Sequence, residues 1–186
     1  MIAKKRVFII HGWGGSPERN WFPWLAKNLR ERGFFVEVPE MPNTDEPKIN
    51  EWLAHMRKAI ANPDENTILV GHSLGGQAIL RYLANLPEGV KIKKAILVAP
   101  VMDEIKNYDS VVEKSTGEWI KTPIDAKKTK QSVGEIIGFF SDDDPWIPLS
   151  SEKTLREIYG ARTIIEKDMG HYNFSEAPQV LKEIVG

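Results

Sequence analysis

The residues best suited to chemistry in this chain sit in Gly71-His72-Ser73-Leu74-Gly75. Gly-x-Ser-x-Gly is the spacing of a nucleophile elbow, a sharp strand-to-helix turn that lifts a serine hydroxyl above a sheet edge. The glycines answer a steric demand. Strand and helix backbones come too close for a Cβ, and the serine itself takes a strained conformation. The motif carries weight only in context. Here Ile68-Leu69-Val70 reads as a buried strand before it, and Ala78, Ile79, Tyr82, Leu83 and Leu86 line one side of a helix after it. An ordinary glycine-rich turn is the competing interpretation, and partners for the serine decide between the two.

A serine hydroxyl is a weak nucleophile until a base takes its proton, and that base needs a third group to orient it. The chain has 4 histidines. His55 lies beside the apolar stripe of a helix and reads as a surface or structural histidine. His72 adjoins Ser73 and cannot reach the neighbouring hydroxyl in the needed geometry, so it packs beside the elbow. His11 ends the first strand, where it can brace the glycine loop that follows. His171, in Met169-Gly170-His171-Tyr172 at a late strand exit, is the expected base. The acid belongs between serine and histidine in chain order, after a strand end. Asp142, Asp143 and Asp144 qualify, and Asp103 after an earlier strand is an alternative. Asp144 is favoured because Pro145 fixes the chain after it; the two neighbouring aspartates then read as a solvated turn or a weak cation site.

Developing oxyanion charge needs preorganised backbone N–H groups. Leu74 supplies one at the positive end of the helix it begins. Trp13, in His11-Gly12-Trp13-Gly14-Gly15, is the candidate for the second. A dinucleotide-binding turn competes for that glycine loop, and Glu37 and Glu40 stand near its expected acidic position. It fails in detail, since Pro17 occupies the place of the third glycine. The elbow is no phosphate loop either, because no Lys-Ser/Thr pair follows its glycines. His11, Gly12, Trp21, Trp119 and Trp146 are candidates for a crowded substrate pocket, although large aromatics at such spacings commonly build the core.

The elements that must position these groups alternate. Strands are expected at Val7–Ile10, Phe34–Val38, Ile68–Val70, Ala95–Ala99, Glu135–Phe140 and Thr163–Ile165. Helices are expected at about 21–32, with Gly33 as its stop, at about 49–60, after Ser73, at about 150–159 and at about 176–185. Residues 101–133 carry a weak pattern and read as a short excursion over the sheet edge. Alternation of this kind specifies a parallel sheet with helices on both faces, and ligands then bind beyond the carboxyl ends of the strands. The loops at 11–17, 72–76, 100–103, 141–148 and 168–173 all fall at those ends. A length of 186 residues suits one domain spanning 1–186, large enough for a core without disulfides or metals.

Composition narrows the function classes. With 25 Lys and Arg against 26 Asp and Glu, both scattered, no basic face recommends nucleic acid or an anionic membrane. Absence of cysteine removes disulfides, thiolate catalysis and cysteine metal sites, and fits a reducing, cytoplasmic setting. The basic start Met1 to Arg6 precedes an apolar run too short for a signal-peptide core. No metal and no cofactor is expected, and the expected partner is a small-molecule acyl substrate, handled by a monomer or weak homodimer.

With these residues assembled, the chain resembles an α/β-hydrolase, and more narrowly the small single-domain serine hydrolases of the YdeN and retinoblastoma-binding-protein type. The resemblance spans nearly the whole chain. It rests on Gly14-Gly15 followed by Asn20-Trp21-Phe22-Pro23-Trp24-Leu25, on Gly71-His72-Ser73, on Asp143-Asp144-Pro145 and on Gly170-His171. It implies a six-stranded, mostly parallel sheet in the order 2-1-3-4-5-6 within a three-layer αβα sandwich, without a large lid domain. It also implies that the aspartate before the proline is the acid, and that the activity is carboxylesterase-like. His11-Gly12 departs from the family pattern toward that of larger esterases and lipases.

Overall fold

A computed structural model gives the backbone of residues 5–107 and 110–186, and all of their side chains except those at 111 and 113. The basic start at 1–4 lies outside the described residues. Six strands build one sheet: β1 Arg6–Ile10, β2 Phe35–Glu37, β3 Thr67–His72, β4 Ile92–Val98, β5 Val133–Ser141 and β6 Arg162–Glu166. Their order is 2-1-3-4-5-6, and every adjacent pair is parallel. Helices α1 Phe22–Glu31, α2 Ile49–Ala59, α3 Leu74–Ala84, α4 Ser110–Lys121, α5 Ala126–Gln131, α6 Leu149–Tyr159 and α7 Pro178–Val185 alternate with them. This is an α/β-hydrolase-like architecture.

Local chemistry explains the elements that carry the site. β3 is buried along its whole length, as a central parallel strand with both faces covered must be. Helix α1 turns Phe22, Leu25, Ala26 and Leu29 inward, and tolerates Pro23 in its first turn, where no intrahelical N–H bond is lost. Its end is a Schellman cap. Gly33 takes φ 84, its N–H bonds to Arg30 O, and the N–H of Phe34 reaches back to Leu29 O. Among the described residues no helix is long and apolar enough to cross a membrane.

The stretch at 101–133 departs from expectation. It holds two helices, α4 and α5, which local pattern does not announce. Gly117 sits inside α4, and α5 buries only Thr129, so tertiary anchors hold them. The indole of Trp119 donates to Pro47 O at 2.9 Å and stands edge-on to Trp52. Arg81, buried on α3, donates to the carbonyls of Trp119 and Thr122 at the end of α4, where the helix dipole favours a cation. Burial pulls the Arg81 pKa downward, and these carbonyls make its charge tolerable there.

Candidate active site

At the exit of β3, Ser73 has φ 54 and ψ −121, a conformation that non-glycine residues rarely adopt. It occupies the N-cap of α3 but makes no side-chain cap bond, so its hydroxyl is not spent on the helix. The glycines around it are a matter of contact distance. A Cβ on Gly71 would lie 2.7 Å from backbone atoms of Gly75 and Gly76, and one on Gly75 would lie 2.2 Å from Ile10 O. Gly12 approaches from the other side, its missing Cβ 3.0 Å from that of Ser73. The loop after β1 therefore lies directly on the elbow.

The imidazole of His171 comes from the exit loop of β6. Its Nδ1 is 2.8 Å from Asp144 Oδ2, and both side chains are almost fully buried, at 4% and 2% exposure. A carboxylate can only accept, so in the neutral ring Nδ1 carries the proton and Nε2 is left as an acceptor. The other oxygen of Asp144 accepts from the N–H groups of Trp146 and Ile147 at 2.9 and 3.0 Å. The turn created by Pro145 thus clamps the carboxylate with its own backbone.

Asp142 and Asp143 are not simply a solvated turn. Asp142 Oδ1 accepts from the N–H of Asp168, and Asp143 Oδ1 from that of Gly170 at 2.7 Å. Ser141 donates its hydroxyl to Asp143 while accepting from the N–H of Met169. The hydroxyl of Ser141 and the N–H of Gly170 hold the Asp143 carboxyl below its usual pKa. Three consecutive residues at the end of β5 therefore grip three consecutive N–H groups of the loop that presents His171. That loop needs gripping, because Asp168, Gly170 and Tyr172 all have positive φ, at 56, 50 and 55. Asp103 faces elsewhere, accepting from Thr154 on α6.

Opposite the aspartates, other groups hold the carbonyl side of the same loop. His72 Nε2 donates to His171 O at 2.8 Å, and Trp21 Nε1 donates to Tyr172 O at 3.1 Å. Asn20 Nδ2 donates to Asn173 Oδ1. His72 is more than packing beside the elbow, since it ties the Ser73 turn to the His171 backbone. Burial, reinforced by the nearby His171, lowers the His72 pKa to about 3. A folded pKa below the unfolded value near 6.5 means that the unfolded chain takes up the extra proton. The stability this group contributes is complete above about pH 6.5 and is lost as pH falls toward 3. We expect about 2 kcal/mol to disappear between pH 6.5 and 5 from this group. Urea unfolding midpoints at the two pH values should show it, and the slope should flatten in His72→Gln.

Ser73 and His171 share one cavity of about 330 Å³, lined also by Gly12, Trp13, Phe22 and Trp146. Trp146 stands edge-on to the His171 ring at 4.7 Å. Gly12 and Trp146 thus line the cavity, whereas three other expected pocket residues do not. Trp21 is fully buried, its ring against Phe22 and its N–H spent on Tyr172 O. Trp119 is fully buried beside Trp52. His11 lies beneath the glycine loop, where its Nε2 accepts from the N–H of Met41 and its Nδ1 faces Gly12 O at 3.0 Å. Burial lowers its pKa and favours the neutral ring. Arg19, Asn20 and Asn173, which no sequence pattern marks as pocket residues, line the cavity as well.

The comparisons with known proteins agree with this architecture. The family model described as serine hydrolase matches residues 7–184. YdeN of Bacillus subtilis (strain 168) is 32% identical over 168 residues, covering 90% of this chain and 86% of that protein. Serine hydrolase RBBP9 of Rattus norvegicus is 26% identical, covering 99% and 96%. The crystal structure of the ydeN gene product superposes with a TM-score of 0.89 at 30% identity, covering 98% of this chain and 97% of that one. Est1E from Butyrivibrio proteoclasticus shares the fold, with a TM-score of 0.72 at 16% identity over 97% of this chain and 85% of its own. The fold is that of an α/β hydrolase. The chain belongs to the serine hydrolase family.

Proposed function

We propose that this protein hydrolyses small carboxylic esters through an acyl-enzyme on Ser73. His171 Nε2 takes the Ser73 proton as Oγ attacks the acyl carbon, and the protonated ring then delivers that proton to the departing alkoxide. Asp144 fixes the ring and balances the imidazolium charge. The N–H of Leu74, in the first turn of α3 where helix N–H groups have no intrahelical partner, supports the oxyanion. The N–H of Trp13 is the proposed second donor, brought there by the contact of Gly12 with the elbow. Water, deprotonated by His171, releases the acid and returns the proton to Ser73. None of these steps calls for a metal or cofactor.

The observation that carries the proposal is the buried 2.8 Å His171–Asp144 pair, whose histidine lines the same cavity as Ser73 in its strained turn. Aromatic walls around about 330 Å³ favour compact acyl groups. Kinetics on 4-nitrophenyl acetate, butyrate and octanoate test this. Turnover should fall from the short esters to the long one, and Ser73→Ala should lose at least about a thousandfold in kcat. Undiminished turnover in Ser73→Ala would refute the nucleophile, and a preference for octanoate would refute the compact pocket.

The grip of β5 on the base loop yields a second expectation. Asp143→Ala frees the N–H of Gly170 and should lower kcat roughly tenfold by loosening His171. Asp143→Asn keeps an acceptor for that N–H and should restore most of the rate. Equal losses in both variants would show that charge, and not the hydrogen bond, matters there.

A further inference from the structure

Arg19 is the one permanently charged side chain on the wall of the Ser73 cavity among the described residues. Its position in the turn spends its backbone: the N–H bonds to Ser16 O, and the carbonyl accepts from the N–H of Phe22. What it can offer a ligand is therefore the guanidinium. That group is solvent-exposed and forms no ion pair among the described residues. Of the seven other arginines, all but Arg57 are committed. Arg6, Arg156 and Arg162 pair with carboxylates, while Arg30, Arg32 and Arg81 hold backbone carbonyls.

Asn173 supplies a second donor on the same wall. Its Oδ1 is occupied by Asn20 Nδ2, which leaves Nδ2 as the remaining polar group of its side chain, without a partner among the described residues. No Asp or Glu among those residues lines this cavity. The nearby carboxylate of Asp144 is 2% exposed and fully engaged by His171, Trp146 and Ile147. A cation and an unspent amide, beside a nucleophile and with no carboxylate among the lining residues, make a binding place for a carboxylate.

Resting on the hydrolase reading above, we infer that the preferred substrates are small esters bearing a carboxylate a few bonds from the scissile carbonyl, held by Arg19 and Asn173. A guanidinium suits such a ligand because its fork of N–H donors matches a carboxylate in shape as well as charge. The carboxylate can stand on the acyl or on the alcohol side of the ester, and two matched substrate pairs separate these. Monomethyl glutarate against methyl 5-methylhexanoate places it on the acyl side. 3-Acetoxypropanoate against 3-methylbutyl acetate places it on the alcohol side. In each pair an isopropyl group replaces the carboxylate, and acid release reports turnover.

At low salt, kcat/KM for the anionic member of one pair should exceed that for its neutral partner by about fivefold, the scale of an exposed ion pair. The ratio should shrink at about 0.5 M salt through screening, to about one-half or less of its low-salt value. It should fall to about one in Arg19→Gln and below one in Arg19→Glu, and stay near the wild-type value in Arg19→Lys to within about twofold. Arg57→Gln, which removes a cation away from this cavity, should leave the ratio unchanged. Ratios at or below one for both pairs in the wild type, or a ratio that survives Arg19→Gln, overturn the inference alone while the neutral esters are still cleaved. Failure to cleave any of the four esters, with Ser73 unreactive, overturns the hydrolase reading and this inference with it.

Discussion

Asp144→Asn is expected to lower kcat by about ten-thousandfold without unfolding the protein. The carboxylate of Asp144 does two jobs at once. One oxygen accepts from Trp146 and Ile147, and the other accepts from His171 Nδ1. In the Asp144→Asn variant the amide oxygen keeps the two backbone N–H bonds, which places the amide NH₂ against the imidazole. A donor there forces Nδ1 to accept, so the proton moves to Nε2. Nε2 then has no lone pair for the Ser73 proton, and the base is lost by a change of tautomer. Turning the amide over would set its NH₂ against the N–H groups of Trp146 and Ile147 and leave both unpaired. The kinetics should therefore show a collapse in kcat with little change in KM, and a far-ultraviolet circular dichroism spectrum like that of the wild type. A variant with at least a tenth of wild-type kcat would remove Asp144 from the proposed mechanism.

Gly75→Ala is the second large effect, and it falls on the fold before it reaches the chemistry. Its Cβ would sit 2.2 Å from Ile10 O and 2.6 Å from His11 O. Both obstacles are backbone, at the end of a buried strand paired along its length with β3. Neither can rotate away, so α3 must separate from β1 or the Ser73 turn must open. We expect a loss of at least about 4 kcal/mol, beyond the usual range for overpacking because backbone does the blocking. For a chain of 186 residues that is roughly a 10 °C fall in midpoint temperature. Gly89→Ala is the contrast, because its Cβ would meet nothing within 4 Å and the only penalty is its φ of 83. Thermal unfolding of the two variants side by side checks the claim. Equal midpoints would show that the elbow relaxes more readily than its contacts imply.

The sheet can be read from the sequence because buried parallel strands are written as unbroken apolar runs, such as Val7–Ile10 and Ile68–Val70, with punctuation at their ends. Ser73, Asp144 and His171 can be picked for a related reason: strand ends are chain landmarks, and topology brings them to one edge. Contacts between distant segments are not legible. Trp21 and Trp119 look like pocket candidates because aromatic type says nothing about which side of a helix faces the core. Asp142 and Asp143 look like a solvated acidic turn in isolation. Their partners, Asp168 and Gly170, lie more than twenty residues away, and no local pattern links them. The helices at 110–131 fail locally for the same reason, since Arg81 and Pro47 hold them from outside. Arg19 escapes notice because an exposed arginine in a turn acquires meaning only when a cavity stands beside it.

Ser73 is proposed as a nucleophile activated by His171. A fluorophosphonate phosphonylates such a serine and adds its phosphonyl group to the protein mass. Incubation of wild type, Ser73→Ala and His171→Ala with the probe, followed by intact-mass and peptide mass spectrometry, reads this activation out at the serine itself. A single adduct on the peptide containing Ser73 is expected, with none in Ser73→Ala and strongly slowed labelling in His171→Ala. An unmodified wild type, or an adduct that persists in Ser73→Ala, would contradict this role of Ser73.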